Sequence, residues 1–433
     1  MYALAEELFP ITRSLTGPGY RETLHRLEAV AGPMQQHRFA TGEQVFDWSI
    51  PKEWTVRDAW VKDAAGATVV SLERSNLHLV NYSAPFSGRL PLAELQAHLF
   101  SLPDQPDAIP YRTSYYKDSW GFCLTDTQRR ELPAGEYEVL VDSDLAPGHV
   151  EVGEVVIEGE SDSEVLFSTY CCHPSMANNE LSGPVVVAHL ARLLREREQK
   201  PRLTYRFLFL PETIGAVAYL SRFGERLKDN LEAGFVVTCI GDPGAFTYKR
   251  SRRGDTLADR AAEHTLGHAG HPYELLDFFA TGSDERQYCS PAFNLPVGSL
   301  MRSMYATYPE YHTSLDDMSF ISAPALGASL RIYNDILAAI EANEIFEATH
   351  PYCEPQLGAR GLYPTTGGAS LDSLHLPDMM HVLNFCDGSA DLLSVAERGN
   401  RPISELRPVV DLLVSHGLLK RAEATGPRQP SWA

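Results

Sequence analysis

Residues 164–183, EVLFSTYCCHPSMANNELSG, constrain the fold of this chain more than any other stretch. The segment opens on Val165-Leu166-Phe167, an apolar run of the kind carried by a strand buried on both faces. It closes on Ser182-Gly183, just before a long helical pattern. Between these ends His173, Asn178, Asn179 and Glu180 must occupy a turn. Open α/β sheets place their ligands in the crevice outside the carboxyl ends of parallel strands. Polar, metal-capable residues at that place point to an enzyme with His173 near its centre.

The pattern around this stretch repeats. Strands are expected at 165–170, 205–210, 234–240 and 296–300, and helices at 183–197, 214–222, 256–266 and 323–342. That alternation predicts an α/β fold with a mostly parallel mixed sheet flanked by helices. Residues 2–31 read as helices. From 47 to about 158 the chain turns to short β-like runs, such as 67–71, 77–80 and 137–141, rich in aromatics. At 433 residues the chain is too long for one core. The organisation expected is therefore a discontinuous α/β catalytic domain (1–36 and 155–345), an inserted β-rich domain (37–154) and a small winged-helix-like domain (381–425), with 346–380 as a linker. In the last domain Asp387-Gly388 reads as a turn, 391–398 as a short helix, and Ser404 as the cap of a second helix. The aromatic cluster at 109–122 reads mainly as the insert's own core, and in part as a roof over the active site.

Charge narrows the partners. Lys and Arg number 37 against 57 Asp and Glu, a net charge of −20, which disfavours nucleic acid and anionic membrane. Over 381–433 six acidic residues balance six basic ones. The winged helix therefore lacks the basic face of a DNA reader and is expected to serve docking or dimerisation, with a homo-oligomer as one outcome. No apolar run approaches the roughly 20 residues of a membrane span, and the N-terminus lacks the features of a signal peptide. Seven cysteines without CxxC spacing suit free thiols in a reducing cytoplasm, so a cytoplasmic location is expected.

Three further strand ends carry polar residues. FLFLPETIG presents Glu212 at a helix start, VVTCIGDPG ends in Asp242, and YPEYHTSLDD carries His312. Catalytic zinc takes histidine nitrogen and carboxylate oxygen and keeps one position open, while a glutamate that is not a ligand serves as base. Each residue alone has a plainer role: Glu180 and Glu212 complement helix ends, and Asp242 before Pro243 forms a turn. Their recurrence at successive strand ends favours the metal site. His189 and His264 lie in helical patterns and are not expected as ligands.

The order of these segments resembles the zinc aminopeptidases with co-catalytic metals, whose pattern runs histidine, Asn-Asp-Asn-x-Ser-Gly, Glu-Glu-x-Gly, Asp-Met-x-Gly, late histidine. HPSMANNELSGP, LPETIG, SYYKDSWGFC and YKRSRRGD carry a closer resemblance, over nearly all of the chain, to a bacterial aminopeptidase-like family with an inserted β-rich domain and a C-terminal winged helix. Members of that family are often associated with polysaccharide or secondary-metabolite biosynthesis. Three departures follow. Asn179 stands where the di-zinc enzymes have a bridging aspartate, Thr213 follows Glu212 where they have a second glutamate, and Thr238 replaces an aspartate. With those carboxylates missing, the resemblance implies one zinc ion per chain, held by His173, Glu180 and His312, with Glu212 as general base. Asp284 is expected to hold a substrate amine and Arg252 a carboxylate. The implied reaction is hydrolysis of an amide next to a free amine in a small peptide or aminoacylated biosynthetic intermediate. Two rivals stand beside it: an amide-breaking or amide-forming enzyme of polysaccharide or secondary-metabolite biosynthesis, and a scaffold without catalysis.

Overall fold

The computed structural model describes residues 1–363 and 376–422. Two compact units divide the chain: residues 1–259 with 271–331, and residues 260–270 with 332–433.

The first unit is built on an eight-stranded sheet. Its order is Gln35–Ala40, His149–Ile157, Thr204–Leu210, Glu164–Tyr170, Leu231–Val237, Val297–Met301, Phe246–Lys249 and Tyr273–Leu276. The central run from Thr204–Leu210 to Val297–Met301 is parallel, and antiparallel pairings flank it on both sides. Every residue of Glu164–Tyr170 and Thr204–Leu210 is buried, as their near-continuous apolar sequence requires. Helices Pro18–Ala31, Ser182–Arg195 and Ile214–Asn230 flank the sheet. The sheet is thus a mixed one flanked by helices, with parallel strands at its centre.

Several boundaries differ from the sequence reading. The strand expected at 234–240 ends at Val237, because Cys239 takes a left-handed φ of 49° that a strand cannot continue through. The limits set at 37 and 154 both fall inside strands of the large sheet. Residues 77–80 form no strand: the Ser75 hydroxyl accepts from Leu77 N and starts a 3-10 turn, Asn76–His78. A separate antiparallel sheet, in the order Thr68–Ser71, Glu53–Lys62, Glu136–Ala146 and Phe86–Pro91, packs around Trp54, Leu79, Phe122, Tyr137 and Val139.

The second unit holds helices Leu376–Phe385, Leu392–Gly399 and Ile403–Ser415 with a three-stranded sheet ordered Asp387–Asp391, Ile345–Ala348, Leu419–Arg421, which is a winged-helix arrangement. The linker reading of 346–380 needs correction at both ends. Ile345–Ala348 is the central strand of this sheet, and the first helix begins at Leu376; residues 364–375 of that segment and 423–425 of the expected domain lie outside the described residues. Asp387-Gly388 starts a strand rather than forming a separate turn. Asp391 caps Leu392–Gly399 through Ser394 N. The expected cap Ser404 is displaced, because Pro402 precedes the next helix and His264 Nε2 accepts from Ile403 N at 3.0 Å.

Candidate active site

The strand Glu164–Tyr170 runs straight into the site. After it come Cys171, Cys172 and His173, all buried, then Ser175 at φ 50°. Next comes a wide π-type turn, Ala177–Leu181, that leads into helix Ser182–Arg195. Wide turns of this kind recur at functional sites. What holds it is Asp316. Its Oδ1 accepts from Asn178 N at 2.6 Å and its Oδ2 from Asn179 N at 3.0 Å, so both oxygens of a buried carboxylate are engaged by the turn. Asp242 is engaged likewise, by Asn178 Nδ2, Gly244 N, Ser303 N and Ser303 Oγ. The Gly244 bond closes the turn formed by Asp242 and Pro243.

Inside this frame three donor atoms converge. Cys172, His173 and Glu180 each offer one ligand atom within 4.8 Å of the other two, and all three residues are buried. Glu180 Oε2 accepts from Cys172 N at 2.7 Å, which fixes the carboxylate and turns Oε1 toward His173 Nδ1. Behind them the fully buried Arg13 donates to His173 O at 3.0 and 3.3 Å and anchors the backbone that carries the imidazole. Burial, and then the charges of His312 and Arg13, push the His173 pKa far below its ordinary range, so the ring is neutral with a lone pair free to coordinate.

Glu212 faces the same space from the next strand end, with Oε2 3.7 Å from His173 Nε2. Burial, followed by the nearby Asp284 carboxylate, raises the Glu212 pKa to about 8, and burial raises that of Asp284. Between them Thr213 sits at φ 64°, held there by Asp284 Oδ1, which accepts from Thr213 N at 2.7 Å. Ser175, Thr213, Cys239 and His312 all take left-handed φ values beside the site. For side chains other than glycine that conformation costs about 1–3 kcal/mol each and persists where the surroundings impose it. His312 Nε2 lies 3.2 Å from Asn179 Oδ1, and its ring centroid is 5.3 Å from that of His173. Tyr111 stands edge-on to both imidazoles, at 4.6 and 5.3 Å, with its hydroxyl 3.0 Å from that of Tyr115.

The structure therefore brings His173, Glu180, Glu212 and His312 together at one place. The triplet of mutually close donors, however, contains Cys172 in the place the sequence reading gave to His312. Asp284 adjoins the site as a fully buried group behind Thr213, not as an exposed carboxylate. Arg252 is exposed and donates to Asn294. Thr238 links the Tyr170 hydroxyl to Asn179 O. The cluster at 109–122 divides: Tyr111 reaches the imidazoles, while Phe122 belongs to the core of the four-stranded sheet and Trp120 packs against it. Reading the sequence missed Cys172, Arg13 and Asp316. The first two gave no motif, and only the doubled acid after HTSL hinted at the third.

Residues 2–343 match the family model described as a domain of unknown function (DUF4910), and residues 344–421 match a winged helix-turn-helix. A Clostridium acetobutylicum protein, named for polysaccharide biosynthesis and an aminopeptidase-like domain, is 43% identical over 420 residues, 97% of this chain and 96% of its own. A crystal structure from the same organism, named for a peptidase, superposes with TM-score 0.91 at 41% identity, covering 97% of this chain and 96% of that one. A zinc aminopeptidase from Bacillus subtilis shares the fold with TM-score 0.55 at 12% identity, over 78% of this chain and 93% of its own.

Proposed function

Because the chain belongs to the bacterial aminopeptidase-like family described as DUF4910 and completed by a winged helix, we propose that it is a metal-dependent hydrolase of amide bonds next to a free amine. The observation that carries this reading is the convergence of His173 Nδ1 and Glu180 Oε1, with Glu212 on the other ring nitrogen of His173. Nitrogen and carboxylate donors that are buried and neutral or anionic fit zinc. Asp242 and Asp316 are engaged in hydrogen bonds and Asn179 is uncharged, so the carboxylates left at the turn suffice for one ion. His173 and Glu180 would hold it. Bound there, zinc supplies a Lewis acid for the scissile carbonyl and lowers the pKa of water.

The chain's own residues do the rest. Glu212, with its pKa raised toward neutrality, takes the proton from the attacking water and returns it to the departing amine. Asp284 acts through Glu212, by its charge and by fixing Thr213, rather than on the substrate. His312, kept neutral by burial with a pKa of about 4, is assigned to hydrogen-bond the substrate beside Asn179. Tyr111 covers the two imidazoles and helps exclude water.

The test combines elemental analysis with a panel of aminoacyl p-nitroanilides. The purified protein is expected to hold about one zinc per chain. Glu212→Gln should retain the metal and lose about 10²–10⁴ in kcat. A folded wild-type protein that takes up no zinc, or a Glu212→Gln variant of full activity, would overturn the reading. A second reading rests on the naming of the 43% identical relative for polysaccharide biosynthesis: an aminoacylated sugar as substrate, recognised by turnover of such amides where ordinary peptides are left intact.

A further inference from the structure

We propose that Cys172 is a metal donor through its sulfur, so that the site is a thiolate, imidazole and carboxylate set with one position left open for water. The inference rests on the metal-hydrolase reading above and adds to it a ligand class that the aminopeptidase resemblance does not imply.

Distances carry the argument first. Zinc bonds of about 2.0–2.3 Å put two donors of one tetrahedral ion about 3.5 Å apart. Cys172 Sγ lies 3.5 Å from His173 Nδ1 and 3.9 Å from Glu180 Oε1, and the third edge of the triangle joins those two atoms. The sulfur already stands at ligand spacing from both atoms, whereas His173 Nδ1 and Glu180 Oε1 touch and part by side-chain rotation to admit an ion.

Hydrogen bonding points the same way. Glu212 N donates to Cys172 Sγ at 3.3 Å, so a backbone amide from the next strand end is aimed at the sulfur. A coordinated thiolate is stabilised by such a donor, as metal ligands generally are by the groups that hydrogen-bond to them. Charge is the third observation. Arg13 is fully buried and hydrogen-bonds only to Leu8 O and His173 O, with no carboxylate partner among the described residues. A dication beside that guanidinium brings three positive charges into a dry region against the two carboxylates that face His173, Glu180 and Glu212, and such an imbalance is costly there. A thiolate offsets it. The thiol proton leaves to solvent as the metal binds, which is the usual exchange at such sites. The plain alternative, a buried thiol that donates to Glu180 Oε1 at 3.9 Å, leaves the amide aimed at the sulfur without a role, since a thiol sulfur is only a weak acceptor.

Cobalt(II) substitution of the full-length protein tests this without reference to activity. Wild-type protein loaded with cobalt should show weak visible d–d bands together with an intense near-ultraviolet sulfur-to-cobalt charge-transfer band. Cys172→Ser should keep the visible bands, lose the charge-transfer band and bind zinc about tenfold or more weakly. Cys171→Ser, which alters the neighbouring buried thiol outside the triplet, should keep both. Visible bands without charge transfer in the wild type, or a charge-transfer band that survives Cys172→Ser, overturns the thiolate and leaves the metal reading standing. Failure to take up cobalt or zinc at all overturns the metal reading itself, and the thiolate with it.

Discussion

Asp316 shows how one residue can govern a site it does not enter. Its two oxygens take the backbone amides of Asn178 and Asn179, the residues just ahead of Glu180, and it sits four positions after His312 on the same loop. Removing a buried acceptor leaves those amides unpaired, at about 1–3 kcal/mol each. Asp316→Ala should therefore lower unfolding stability by about 2–4 kcal/mol and weaken zinc binding, while Asp316→Asn, which keeps one acceptor, should lose less. Denaturant unfolding with a parallel zinc titration checks it; an Ala variant as stable as wild type would mean that the turn finds other partners. None of this was legible from residue types. His173, Glu212 and His312 were found because zinc chemistry needs those side-chain types, whereas Asp316 and Arg13 matter through backbone atoms distant in sequence.

At the scale of elements, the site depends on how closely helix Ser182–Arg195 approaches the sheet. A Cβ on Gly183 would lie 2.3 Å from Val237 O and 2.5 Å from Thr169 Oγ1, inside the hydrogen bond that joins them at 2.8 Å. Alanine would add about 1 kcal/mol of helix propensity, but overpacking against backbone costs about 1–3 kcal/mol or more. Gly183→Ala is thus expected to shift the urea midpoint downward, and an unchanged or raised midpoint would show that the helix can retreat. Long buried strands and amphipathic helices were legible because their periodicity is a property of the chain. Short elements were not: Ile345–Ala348 is a strand because two partners flank it, and 77–80 is not one because Ser75 satisfies Leu77 N locally.

Across the first unit, four adjacent strands share one buried ionic cluster. Arg206 pairs with Glu164 at 2.7 Å and with Glu154, which also takes the Tyr219 hydroxyl and lies 2.8 Å from His37 Nε2. Burial alone would raise the Glu154 pKa; the His37 bond, the Arg206 charge and the Tyr219 bond outweigh it and bring it down to about 2. The unfolded value is about 4.3, so the folded state gains about 3 kcal/mol that is present above that pH and is lost as pH falls toward about 2. Stability measured by urea unfolding should drop between about pH 4.5 and 2 in the wild type, and the drop should be shallower in Glu154→Gln. Equal losses in both proteins would assign the acid limb to other carboxylates.

The α/β class and the winged helix could be read from the chain alone, which also offered His173, Glu180, Glu212 and His312 as candidates, because burial periodicity and side-chain chemistry are carried by local residues. Which of these groups meet follows from the folded chain. It put Cys172 beside His173 and Glu180, set Asp284 behind Thr213, and engaged Asp242 and Asp316 with backbone and side-chain donors. Such choices depend on crossing distances between strand ends and on which oxygens are already hydrogen-bonded, and neither quantity is a property of any single stretch of chain.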